Sequence, residues 1–164
     1  MEHIVEFIVN TLNGDMAAEW IVFIVSMLPI VELRGGILAA SLLGVEMWKA
    51  FLICAVGTMI PVPFILLFIR QVLTWLKNLG FAKFAEKLEA KAEKNREKIE
   101  KYETFGLTLF VGIPLPGTGA WTGSLIAALM NMRFKHSFIA VLLGTILADI
   151  IMCLISYGVL GAIL

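Results

Sequence analysis

Three ionisable side chains interrupt otherwise apolar sequence: Glu32, Arg34 and Asp149. Glu32 and Arg34 lie in Pro29-Ile30-Val31-Glu32-Leu33-Arg34-Gly35-Gly36. Asp149 is the one acid in the last apolar run, four residues beyond Thr145. Ionisable groups inside apolar segments line cavities, pair with one another or carry function. Glu32 has the chemistry of a proton carrier. Arg34 opposes that role and suits an anionic headgroup or phosphate. A static Glu32–Arg34 salt bridge that satisfies broken backbone is the alternative. Asp149 reads as a second proton site, as the partner of Arg34, or as a structural hydrogen bond across a helix bundle. A second cluster lies in Pro114-Leu115-Pro116-Gly117-Thr118-Gly119-Ala120-Trp121-Thr122-Gly123. There Pro116 and Gly117 free backbone groups that can coordinate an ion or substrate, or simply allow close packing. Thr118 offers a hydroxyl, and Trp121 either lines a cavity or packs in the core.

Other chemistries have no residues to carry them. The apolar segments hold no Ser/His, Cys/His or metal-spaced cluster, and no nucleotide-binding loop is present. His3 and His136 are isolated, and Cys54 and Cys153 sit in long apolar runs where a disulfide is not expected. The reading is therefore no enzyme, no cofactor and no metal.

The elements that position these residues follow from composition. The 164-residue chain is 60% hydrophobic and 16% charged, with zero net charge and a mean hydropathy of +0.92. So short a chain cannot bury that much apolar surface within itself. A water-soluble enzyme, a nucleic-acid binder and a disordered chain are excluded as readings. Fourteen of the 26 charges fall between Lys77 and Glu103. What remains is one integral membrane domain with a charged segment in its middle.

A helix needs about 20 apolar residues to cross a bilayer. Two segments reach that length: Met47 to Ile69, where Pro61 and Pro63 predict a kink, and Ser137 to Leu164. The runs Trp20–Val31, Ile37–Val45, Phe105–Leu115 and Ala120–Met132 are too short. Joined by Pro and Gly, they read as half-membrane helices that enter, turn and leave on one side. Broken backbone at membrane depth persists only when packed in protein or lining a wet cavity. Residues 2–12 read as a short interfacial helix ended by Asn13-Gly14.

A shift of 87 residues lays Leu28–Thr58 over Leu115–Thr145 without a gap, with nine of 31 positions identical. The matches include Pro29/Pro116, Gly36/Gly123, Gly57/Gly144 and Thr58/Thr145; Trp121 falls opposite Arg34. Each half then supplies one re-entrant hairpin and one crossing, which predicts an inverted repeat whose hairpin tips meet near the midplane. That topology puts 11 of the 13 Lys/Arg on one side, the cytoplasmic side by the positive-inside rule, with both termini outside. The expected organisation is a single membrane domain: an interfacial helix over 1–19, repeat 1 over 20–69, a charged amphipathic cytoplasmic segment over 70–104 and repeat 2 over 105–164. In the charged segment Lys and Glu form separate rows, with a thin apolar stripe led by Phe81 and Phe84 between them.

The motif Pro29–Ile37 followed by an apolar helix, together with Pro114–Gly123, resembles the small multidrug export protein family of compact bacterial and archaeal membrane proteins. The resemblance runs from about Met27 to Leu164. That family is in turn distantly similar to the DedA/VTT superfamily of re-entrant-helix proteins, which includes lipid-carrier translocases and scramblases. Here the Pro-Gly after Leu115 is followed by Thr118 where the superfamily pattern has an acid. The resemblance implies an all-α export protein of a prokaryotic inner membrane; with Glu32 and Asp149 as candidate proton sites, the first reading is proton-coupled secondary export of a small amphipathic or lipid-like substrate. The alternatives are a lipid translocase or scramblase and a non-transporting scaffold. Expected partners are membrane lipids, the substrate and protons, with no nucleic acid. Two hairpins and two spans give thin shielding to a polar cavity, so a homodimer is expected.

Overall fold

The computed structural model describes residues 18–100, 103–115 and 117–163. The interfacial helix expected over residues 2–12 lies outside them, as do Pro116 and both chain ends. Among the described residues every regular element is an α-helix: α1 Ala18–Met27, α2 Glu32–Leu42, α3 Met47–Met59, α4 Pro61–Asn78, α5 Ala82–Glu100, α6 Glu103–Gly112, α7 Ala120–Leu129 and α8 Phe134–Ile163. Helix stops where the Pro- and Gly-bearing stretches predict it, at residues 28–31 and 113–119.

Among the described residues, two stretches are long and apolar enough to cross a membrane, Met47–Asn78 and Phe134–Gly158. Only 28% and 39% of their most apolar windows is buried inside the chain. The core helix of a water-soluble protein would be mostly covered. Bare apolar surface on this scale calls for a non-aqueous surrounding, which makes this a membrane-associated chain. The first stretch is interrupted at Ile60. Pro61 and Pro63 lack the N–H groups that would continue the ladder, although Ile60 itself keeps helical angles and its N–H donates to the Val56 carbonyl at 3.1 Å. Helix continues to Asn78, nine residues past the end of the apolar run.

The chain forms two compact units, Met1–Ile60 with Thr145–Leu164, and Pro61–Gly144. In the first, α1 packs on α2 and α3, and α2 packs on α3. Val22, Leu33, Ile37, Ala50, Cys54, Ala148 and Cys153 belong to one buried apolar cluster. Small residues let these helices approach. A Cβ on Gly36 would meet Cys54 Sγ at 2.8 Å, and one on Gly57 would collide with Ser26 Oγ. Thr58 Oγ1 donates to the Ser26 carbonyl at 3.1 Å. In the second unit α4 packs on α7 and α5, and α6 packs on α5 and α7. Leu73, Ala85 and Leu125 form its core cluster. Among the described side chains of α5, Ala85 is buried, whereas Phe84 and the preceding Phe81 of the expected apolar stripe face outward. A Cβ on Gly144 would meet the Thr108 carbonyl oxygen and Val111 Cβ, each at 2.7 Å. Both Gly-Thr pairs therefore begin at close helix contacts.

Local geometry repeats at the same spacing of 87 residues. Helices α2 and α7 end at Leu42 and Leu129, and α3 and α8 begin at Met47 and Phe134. Each hairpin ends in the same two-bond motif. Gly44 and Val45 donate to Ser41 and Ala40; Asn131 and Met132 donate to Ala128 and Ala127. The pivot is left-handed in both, with φ +70 at Gly44 and +59 at Asn131. Only strain distinguishes side chains at Gly44, since nothing lies within 4 Å of a Cβ there. Gly44→Ala is therefore expected to cost about 1–2 kcal/mol. Gly44→Asn is expected to cost clearly less, because Asn tolerates this region as Asn131 does. Thermal unfolding in detergent checks the order, and equal losses would contradict it.

Candidate functional site

In the first unit the decisive residue is Asp149. It lies about 22 Å along α8 from Phe134, at 1.5 Å per residue, and near the middle of the Phe134–Gly158 span. Its relative exposure is 0%. Neither carboxylate oxygen has a hydrogen-bond partner. The expected alternatives of a bond to Arg34 and of a structural hydrogen bond across the bundle are thus not formed. Leaving a buried polar group unsatisfied costs about 1–3 kcal/mol, so native folds seldom retain one without a use. A carboxyl with no partner can take up a proton or a cation without first breaking a bond.

The face of α8 that carries Asp149 packs into the buried cluster formed with α1, α2 and α3. Cys54 of α3 and Cys153 of α8, both buried and both free, belong to the same cluster as Ala148. Thr145, Asp149, Cys153 and Ser156 recur at three- and four-residue steps, which places them on one face of α8. Tyr157, next to them, donates its hydroxyl to the Val45 carbonyl at 2.7 Å. The Ser156 hydroxyl, like the Asp149 carboxylate, is buried without a partner. Cys54, Cys153, Ser156 and Tyr157 were not among the expected site residues. The period of the stripe was available from Thr145 onward. The contribution of Cys54 was not, since it comes from a different helix.

Glu32 and Arg34 occupy the first turn of α2. Glu32 is 4% exposed and takes φ +49, a region that non-glycine residues rarely adopt. Its counterpart 87 residues on is Gly119, also at positive φ. Sterics favour glycine at both places, yet the first hairpin puts a carboxylate there. Such strain persists where the surrounding structure enforces it, and it clusters at functional positions. The pair interacts electrostatically, and the carboxylate sits at the positive end of the helix dipole.

The other predicted residues belong to the second unit. Gly117 takes φ +84, which fits its turn. Thr118 Oγ1 lies 2.8 Å from both the Ile113 and the Leu115 carbonyl oxygens. One hydroxyl proton is shared between them, so this side chain ties broken backbone together. Trp121 is half-buried in the first turn of α7. Pro116 is outside the described residues. Among the described residues no group of three or more His, Cys, Asp and Glu could hold a metal ion.

No curated protein and no solved structure compared with the chain matches it. A family model does. Described as "Putative small multi-drug export protein", it matches residues 32–151, a stretch that begins at Glu32 and includes Asp149. With most of its length inside that match and two bare apolar helices of spanning length, the chain belongs to the small multi-drug export protein family.

Proposed function

We propose that this protein is a proton-coupled secondary exporter of a small amphipathic or lipid-like molecule in a prokaryotic inner membrane, and not an enzyme. Asp149 is the proton carrier, and Glu32 and Arg34 belong to the substrate and proton pathway. The observation that carries this reading is the fully buried, unpartnered Asp149 carboxylate in the middle of a candidate span. A static scaffold gains nothing from such a group.

The inverted-repeat topology belongs to the same proposal. Helix ends, left-handed pivots and close glycine contacts that recur at 87 residues support two homologous halves. Each half supplies one hairpin and one long helix, so the second half enters the membrane from the opposite face. Residues 70–104 then face the cytoplasm and the termini face outward. The working unit in this proposal is a homodimer, to be checked by native mass in nanodiscs.

The test is flux into proteoliposomes with and without a pH gradient, using a panel of amphipathic fluorescent cations. Expected is accumulation that a protonophore abolishes; accumulation indifferent to the gradient would remove the coupling. The lipid-translocase reading rests on Arg34, half-buried beside Glu32. If that reading holds, Arg34→Ala stops the flipping of a fluorescent anionic lipid and leaves cation flux intact. Equal loss of both counts against it.

A further inference from the structure

The second unit carries a groove of about 450 Å³ on α4, lined by Arg70, Gln71, Thr74, Trp75 and Asn78. We propose that it binds the phosphate headgroup of an anionic phospholipid, with an acyl chain lying along the same helix. This goes beyond export and stands independently of it, resting only on membrane association.

Four observations converge on that ligand. First, Arg70 is held in place: Nε donates to the Ala128 carbonyl at 3.0 Å and an Nη to the Leu129 carbonyl at 3.1 Å. A guanidinium has five N–H groups, and these two bonds fix its plane and leave donors for the groove. Second, among the described residues no carboxylate answers this cation, while nearby Lys77 is paired with Glu89 at 2.8 Å. Third, Thr74 spends its proton on the Arg70 carbonyl at 2.9 Å. The Gln71 amide likewise donates to the Leu67 and Phe68 carbonyls of its own helix. The lining side chains left with N–H groups to offer are Arg70, Asn78 and Trp75, a set suited to phosphate oxygens. Fourth, the groove lies where apolar sequence ends. One and two turns earlier, Phe64, Leu67 and Phe68 share its side of the helix and are 52–61% exposed. The opposite face, with Val62, Ile65 and Leu73, is buried. An open groove whose rim carries a guanidinium and amide groups, and whose largely apolar wall continues into a bare apolar stripe, has the shape of an amphiphile. An aromatic ring at the junction is the arrangement favoured at membrane interfaces.

The test uses native mass spectrometry of the full chain, equilibrated with equal amounts of phosphatidylglycerol and phosphatidylcholine. Expected is a preference for the anionic lipid of about fivefold, the size of one juxtamembrane cation's effect. Arg70→Gln should abolish the preference, but it also removes a cap from α7. Asn78→Asp keeps that cap and places a carboxylate in the groove; it should abolish the preference as well. A preference unchanged in Asn78→Asp would overturn the site. Millimolar inorganic phosphate should leave the lipid in place, and displacement by it would assign the groove to a free anion instead.

Discussion

Asp149→Asn is expected to leave a folded protein whose pH-driven flux falls to that of empty liposomes. Asparagine matches aspartate in shape, so the packing around Cys54, Ala148 and Cys153 has no reason to change. It cannot carry a proton in the pH range of the gradient, and coupling fails for that reason alone. Asp149→Glu keeps the carboxyl and should retain part of the coupled flux. Stability separates this from a structural role. The Asp149 oxygens make no hydrogen bond, so no bond is lost on substitution. Asp149→Val removes an unsatisfied buried group and should raise stability by about 1–2 kcal/mol, within the range for such groups. A structural aspartate would behave in the opposite way, with Val costing stability and Asn leaving transport intact. Coupled flux that survives in Asp149→Asn would end the case for Asp149 as proton carrier, whatever its stability.

The breaks and the short helices were legible because they are written locally. Pro29, Pro114 and the glycines after Pro116 state where helix stops, whereas the pivots that end α2 and α7, Gly44 and Asn131, fall inside runs that read as continuous in sequence. Where an element boundary was set by hydropathy instead, sequence and structure part. The apolar run ends at Ile69, but α4 continues to Asn78. Arg70, Gln71, Thr74 and Lys77 are all tolerated in a helix, and the true stop signal is Gly80, left-handed at φ +87. Arg70 reads in sequence as one more cytoplasmic charge. Its function as a cap on α7 depends on carbonyls 58 and 59 residues away, which no local pattern announces. The same holds for Cys54 beside Asp149. On α8 the polar stripe has helical spacing, yet nearly every other residue is apolar. Periodicity therefore could not say which face is buried; packing against the other helices of the first unit decides it. Glu32 misleads in another way: left-handed backbone is signalled by Gly or Asn, and there a carboxylate takes the position.

Gly144→Ala is expected to destabilise the protein by about 1–3 kcal/mol, the usual cost of overpacking. The opposing gain from replacing a helical glycine is about 0.5–1 kcal/mol, so the clash prevails. Its partners decide this. The new methyl meets the Thr108 carbonyl oxygen and Val111 Cβ, each at 2.7 Å. A backbone carbonyl and a Cβ cannot rotate away; α6 would have to move as a body. Val111→Ala should therefore not rescue it. The repeat-equivalent Gly57→Ala meets Ser26 Oγ and lies 3.1 Å from the Phe23 carbonyl oxygen. Here the obstacle is a side chain that can turn, at the expense of its 2.7 Å hydrogen bond to Phe23. Ser26→Ala should accordingly recover part of the loss. Gly158→Ala, further along α8 with nothing within 4 Å of its new methyl, should raise stability by about 0.5–1 kcal/mol from propensity alone. Thermal unfolding of the three alanine variants in one detergent would order them Gly158, Gly57, Gly144 from most to least stable. If Gly144→Ala proved as stable as Gly158→Ala, the close approach of α6 to α8 would be wrong. The structural argument for two equivalent halves would lose one of its matching contacts with it.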